Sequence, residues 1–198
     1  MSIWPRIQVE GQGIHALVAL GDHPDPSRAW PDALAAGQLA AHAQRPILLT
    51  RQGDVPQATQ DAIVDLEVDE VTIVGGEAAI PNDTMADVGG PGTTRHRIGG
   101  VDRTDTAALL AEEAASLGAQ AGDVIVATAR DFPDGLAAAA AAYARDGVLL
   151  LVDRDVLSDP TRAYLEGHAP LERLSVAGGA FAVSDGVVSQ MLDAAGLG

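Results

Sequence analysis

Trp30-Pro31-Asp32-Ala33-Leu34-Ala35-Ala36 returns 102 residues later as Phe132-Pro133-Asp134-Gly135-Leu136-Ala137-Ala138. Working outward, Ile47-Leu48-Leu49 matches Leu149-Leu150-Leu151 at the same offset, and Ala58-Thr59 matches Pro160-Thr161. Val74-Gly75-Gly76 then matches Ala177-Gly178-Gly179 at an offset of 103. Ordered matches at nearly constant spacing are the mark of an internal repeat. The repeated phrase also has a local physical reading. Pro31 and Pro133 stand where a first helical residue would, a position whose N–H has no intrahelical partner to lose. Asp32 and Asp134 follow in the first turn, where a carboxylate complements the positive end of the helix dipole. The preceding aromatic can staple the helix onto the sheet.

Between these landmarks, short apolar runs alternate with helical patterns. Strands are expected near 15–20, 46–50, 70–74, 94–98, 123–128, 147–152 and 172–177. Helices are expected near 31–43, 56–66, 81–88, 104–118, 133–144, 158–167 and 184–195. Runs such as Val148-Leu149-Leu150-Leu151-Val152 are continuously apolar, which suits strands covered on both faces of a parallel sheet. The reading is an α/β protein of two packed, internally duplicated strand–helix units with mostly parallel, Rossmann-like sheets. The turn-rich Gly89-Gly90-Pro91-Gly92 separates a lead-in and first repeat (1–14 and 15–92) from a second repeat (93–198). So short a linker implies that the halves pack together.

Composition narrows the function. Hydrophobic residues make up 47% of the chain and aromatics 3%, so the core is built from Ala, Val, Leu and Ile. The net charge is −16, and all 12 basic residues are arginine. A field of that sign repels phosphate backbones and anionic lipid surfaces, which disfavours nucleic acid as a partner. No run approaches the roughly 18 apolar residues of a membrane span, so membrane insertion is not expected. No secretion signal is visible at Met1–Arg6. The absence of cysteine removes disulfides, thiolate metal sites and a thiol nucleophile. The five histidines fall singly along the chain, and there is no HExxH, GxSxG, GxGxxG or phosphate-loop lysine. No catalytic residue, metal site or cofactor is therefore assigned.

Several segments remain candidates for binding. Gly75-Gly76 and Gly178-Gly179 end strands at the carboxyl edge of the sheet, where α/β proteins take ligands, although a plain turn is the better explanation of them. Asp22, Asp25, Asp131 and Asp134 crowd the loops after the first strand of each half. The segment Arg95-His96-Arg97-Ile98-Gly99-Gly100-Val101-Asp102-Arg103-Thr104-Asp105-Thr106-Ala107 holds three of the twelve arginines. Asp102 or Thr104 could cap the helix that follows. Clustered arginines are also what bidentate recognition of a carboxylate, phosphate or pyruvyl group requires.

Taken in order, Arg97-Ile98-Gly99-Gly100-Val101-Asp102-Arg103-x-x-Thr106-Ala107, then Asp131-Phe132-Pro133-Asp134-Gly135-Leu136-Ala137-Ala138, Leu149-Leu150-Leu151 and Ala177-Gly178-Gly179, the second half resembles the type 2 cell-wall-binding repeat. The first half is similar from about His15 to Gly76. It lacks the Arg-Gly-Asp-Arg-Thr-Ala segment, of which Arg6–Gly11 is at best a remnant, and Thr104 stands where the repeat usually has an aromatic. The resemblance implies a non-catalytic module at the cell surface, anchoring a surface protein to a wall-associated polysaccharide or other envelope polymer. It makes Arg97, Asp102, Arg103 and Thr106 the leading ligand contacts, with Asp32, Asp134, Gly178 and Gly179 behind them. Two alternatives stand beside it: an oligomerisation module of a surface layer or particle, with a homo-oligomer as partner, and a small-molecule α/β enzyme. Because the repeats are unequal, the binding site is expected near the second repeat or the seam.

Overall fold

The computed structural model describes residues 14–198 apart from 26, 27, 29 and 131, with Phe132 described by its backbone. The Arg6–Gly11 segment, most of the lead-in, Asp131 and the Phe132 ring lie outside the described residues. Strands β1 (Ile14–Asp22), β2 (Ile47–Arg51), β3 (Val68–Val74) and β4 (Thr94–Ile98) alternate with helices α1 (Pro31–Ala43), α2 (Gln57–Asp65) and α3 (Asn82–Asp87). Helix α4 (Arg103–Ser116) leads into β5 (Asp123–Thr128), α5 (Phe132–Ala144), β6 (Val148–Val152), α6 (Asp159–Gly167), β7 (Arg173–Val176) and α7 (Asp185–Ala194). Each expected element is present, its ends within two residues of the sequence reading.

Two all-parallel sheets result, ordered β2-β1-β3-β4 and β6-β5-β7. The direction of winding reverses at β1 and again at β5. Right-handed crossovers then put α1 and α2 on opposite faces of the first sheet, and α5 and α6 on opposite faces of the second. The turn at 89–92 precedes β4, yet β4 pairs with β3 in register Val74↔Ile98. The chain passes to the second sheet only after Ile98.

The duplication extends to single hydrogen bonds. The Thr59 hydroxyl donates to the carbonyl of Leu49, and the Thr161 hydroxyl donates to that of Leu151 at 2.7 Å. Each ties its helix, α2 or α6, to the strand that precedes it, which accounts for the threonine in both copies. Both Gly-Gly turns have the same backbone. Gly75 has φ +111° and Gly178 φ +94°, and the carbonyls of Gly76 and Gly179 each accept two N–H groups, from Ala79 and Ile80 and from Ala182 and Val183.

The halves share one core. A single apolar cluster joins Leu17, Ala35 and Leu39 of the first half to Leu110, Val126 and Leu150 of the second. A smaller one under α2 and α3 holds Val18, Ile63 and Ile73. Helix α1 is the joint. It contacts both α4 and α5 and lies along the free edge of β6, where the wholly buried Gln38 behaves like a strand. Its side-chain N–H donates to the Leu149 carbonyl at 2.8 Å, and its side-chain oxygen accepts the Leu149 N–H at 2.6 Å. With helices on both faces and α1 along the edge, all five residues of β6 are completely buried.

Candidate functional site

The segment between β4 and α4 is where the sequence concentrates its candidates, and the fold shows what each residue touches. Arg97 is turned toward the first half. Its guanidinium donates to the carbonyls of Gly75 (2.7 Å) and Ile80 (2.8 Å) and to Oδ1 of Asn82 (3.2 Å). The first Gly-Gly turn is thus gripped from the neighbouring strand. Gly99 must be glycine because a Cβ there would enter the backbone of Gly75, and a Cβ on Gly76 would meet the Gly100 carbonyl at 2.8 Å.

Asp102 is the N-cap of α4, accepting the N–H groups of Thr104 (2.8 Å) and Asp105 (3.0 Å) and the Thr104 hydroxyl (2.7 Å). Of the two capping candidates it is Asp102 that caps. Burial raises its pKa, but these hydrogen bonds and the charge of Arg103 outweigh that and hold the carboxyl below its usual range. Thr106 is buried, and its hydroxyl accepts the Gly100 N–H at 3.1 Å. Asp105 accepts the Val101 N–H at 2.8 Å. This set of bonds holds the loop rigidly over the helix end.

Arg103, the first residue of α4, reaches across to the loop after β5 and donates to the Ala129 carbonyl at 2.8 Å. There it borders an open cleft of about 370 Å³ lined by Asp102, Arg103, Thr104, Arg130 and Asp153. Arg130 follows β5 and Asp153 follows β6, so the cleft sits on the carboxyl edge of the second sheet. The Arg130 Nε donates to Asp153 Oδ1 at 3.1 Å, and both side chains are solvent-exposed. The first half has a pair at the corresponding strand ends with its charges exchanged, Asp22 with Arg51 at 3.3 Å. Arg130 and Asp153 were not singled out by sequence. Their place at strand ends on the carboxyl edge is the signal that could have found them.

The remaining candidates lie apart from this lining. Asp32 and Asp134 each sit against the Gly-Gly turn of their own half, where a Cβ on Gly75 or Gly178 would strike the carboxylate. Burial pushes the Asp32 carboxyl up to about 6, with Arg103 partly opposing. Gly178 and Gly179 are exposed. The singly spaced histidines are also partly gathered by the fold. His15 and His96 each lie 3.2 Å from the same Glu70 oxygen, at the opposite end of the first sheet. Among the described residues no group of three or more His, Cys, Asp or Glu has the arrangement to hold a metal ion, and no helix is long and apolar enough to cross a membrane.

The chain is a duplicated, parallel α/β unit with an Arg-x-Gly-Gly-x-Asp-Arg segment at residues 97–103 leading into α4. The family profile described as cell wall binding domain 2 (CWB2) matches residues 8–85 and 97–188, and the chain belongs to that family. It is a cell wall binding module. Among curated relatives it is 29% identical over 160 residues to an amidase enhancer of Bacillus subtilis (strain 168), covering 81% of this chain and 21% of the relative. It is 31% identical over 83 residues to N-acetylmuramoyl-L-alanine amidase LytC of the same organism, covering 42% of this chain and 17% of the relative. The chain thus spans about a fifth of the length of these relatives. In structure it resembles Cwp6 from Clostridium difficile, with a TM-score of 0.77, 23% identity, and 91% of this chain against 28% of that one. That likeness shows the fold.

Proposed function

We propose that the chain is a non-catalytic module that holds a larger surface protein to the cell envelope by binding a wall-associated, acidic polysaccharide in the cleft at the start of α4. The observation that carries this reading is the convergence of Arg103 and Arg130, presented from two elements, on one open cleft in a CWB2 chain. Guanidinium groups suit carboxylate, phosphate or pyruvyl substituents, and Arg103 has donors beyond the one given to Ala129. Asp102 and Asp153 offer acceptors for sugar hydroxyls beside them. Short-range bidentate contacts of this kind work against a net charge of −16, because salt screens the long-range field over about 8–10 Å. Arg97 has its donors on the first Gly-Gly turn, so the contact role passes from Arg97 to Arg130 in this reading.

The experiment is co-sedimentation with purified Gram-positive cell walls. The wild-type protein is expected in the pellet, with binding at least tenfold weaker after Arg103→Ala and Arg130→Ala together, given about 1.5–3 kcal/mol for each charge-assisted hydrogen bond lost. Wild-type protein that stays in the supernatant across salt and calcium concentrations overturns the proposal.

A further inference from the structure

Asp32 is the second residue of α1 and lies half-buried against the first Gly-Gly turn, where a Cβ on Gly75 would strike its Oδ2. Helix α1 packs on α4, and the charge that reaches this carboxylate is that of Arg103, the first residue of α4. The same guanidinium donates to the Ala129 carbonyl at 2.8 Å and lines the open cleft at the carboxyl edge of the second sheet. Asp32 stays outside that lining. One arginine is therefore shared between a fixed acid at the joint of the halves and an open cleft.

The other charged groups of the elements around Asp32 are engaged elsewhere. Asp102 and Asp105 accept N–H groups of their own loop. From the Gly75 side, Glu77 accepts the Asn82 amide and Arg28 donates to the Ala78 carbonyl. On the cleft side Arg130 is paired with Asp153, and Asp134 of α5 lies against the Gly-Gly turn of its own half. His42 sits in the last turn of α1, paired with Asp146 at the far end of the helix. Among the described residues, Arg103 is thus the cation set against Asp32.

We infer that Asp32 is a proton-linked regulator of the cleft: it competes with a bound polymer anion for the Arg103 guanidinium, so the module binds more tightly when Asp32 carries a proton. This rests on the reading of the cleft as the polymer site. Carboxylate and phosphodiester groups of a polymer are ionised above about pH 5, so of the two anions it is Asp32 that takes up the proton. Burial has already brought its carboxyl to about 6, with Arg103 partly opposing. An anion seated on Arg103 offsets that opposing charge and pushes the carboxyl higher still. Proton uptake therefore accompanies binding, and by linkage the affinity rises as pH falls through 6. A further rise of about one unit corresponds to affinity about five- to tenfold higher at pH 5 than at pH 7.5. A polyanionic wall gathers protons with its other counter-ions, so the module is held most firmly where the polymer is densest.

The test is co-sedimentation with purified Gram-positive cell walls at pH 5 and pH 7.5, for the wild-type chain and for Asp32→Asn, which is uncharged at both. Because the walls titrate as well, the readout is the ratio of the two affinities at each pH. Asp32→Asn is expected to match the wild type at pH 5 and to bind about five- to tenfold more tightly at pH 7.5. That difference vanishes when both proteins also carry Arg103→Ala. A second measurement needs no wall. The Asp32 carboxyl carbon is titrated by NMR, and its midpoint, about 6 in the wild type, is expected to move up in Arg103→Ala. A ratio that is the same at both pH values, or a midpoint that Arg103→Ala leaves in place, overturns the inference while wall binding stands. Wild-type protein absent from the pellet at both pH values overturns the reading of the cleft, and this inference with it.

Discussion

Removing the Arg97 guanidinium leaves the carbonyls of Gly75 and Ile80, both in buried residues, without their donor. Arg97→Ala is therefore expected to destabilise the fold by about 2–4 kcal/mol, read as a lower midpoint in urea unfolding. A loss under about 0.5 kcal/mol would mean that the arginine is not holding the turn. Asp32 gives a pH signature. Its folded pKa of about 6 lies above the ordinary 3.8, so the folded state holds this proton more tightly than the unfolded chain. The associated stability is present below about pH 4 and is lost as pH rises through 6. Asp32→Asn removes the charge, so its melting temperature relative to wild type should rise from pH 4 to pH 7.5. A difference that does not change with pH would contradict a buried, reluctantly charged Asp32. The sequence made Asp32, Arg97 and Thr106 visible as unusual residues. It could not say that Arg97 and Thr106 face the protein, because their partners lie on loops brought in by sheet pairing and by the turn before α4.

At the scale of elements, the joint between the halves depends on a helix standing in for a strand. Gln38→Ala deletes two hydrogen bonds to a fully buried strand edge and leaves the Leu149 N–H and carbonyl unpaired. It should cost about 2–3 kcal/mol and raise hydrogen exchange at Leu149 above that of the other β6 amides. Unchanged protection there would show that α1 does not seal the edge. Strands and helices were legible because each carries its own period and its own punctuation, such as Pro31 and Pro133 at helix starts. Two things were not legible. A glutamine inside an alanine-rich helix carries no local sign that its amide pairs with a strand. Nor does a turn as strong as Gly89–Gly92 disclose that the next strand returns to the sheet it has just left.

For the whole molecule, the shared core predicts that the halves unfold together. Leu150 and Leu39 belong to one cluster, and β6 relies on α1 for its edge. Calorimetry should give one transition, with the van't Hoff and calorimetric enthalpies equal. Two resolved transitions would mean that the repeats are separate folding units. The repeat and its wall-binding class were readable from ordered motifs. The cleft was not, because Arg103, Arg130 and Asp153 converge only when α4, β5 and β6 meet. The most direct test of that cleft as the polymer site is to map amide chemical shifts of the isotopically labelled protein while adding a purified wall-polysaccharide fragment. The account predicts that shifts concentrate at Asp102–Thr104, Arg130 and Asp153 and disappear with Arg103→Ala plus Arg130→Ala. Shifts centred on the first sheet, or unaffected by that double substitution, would contradict it.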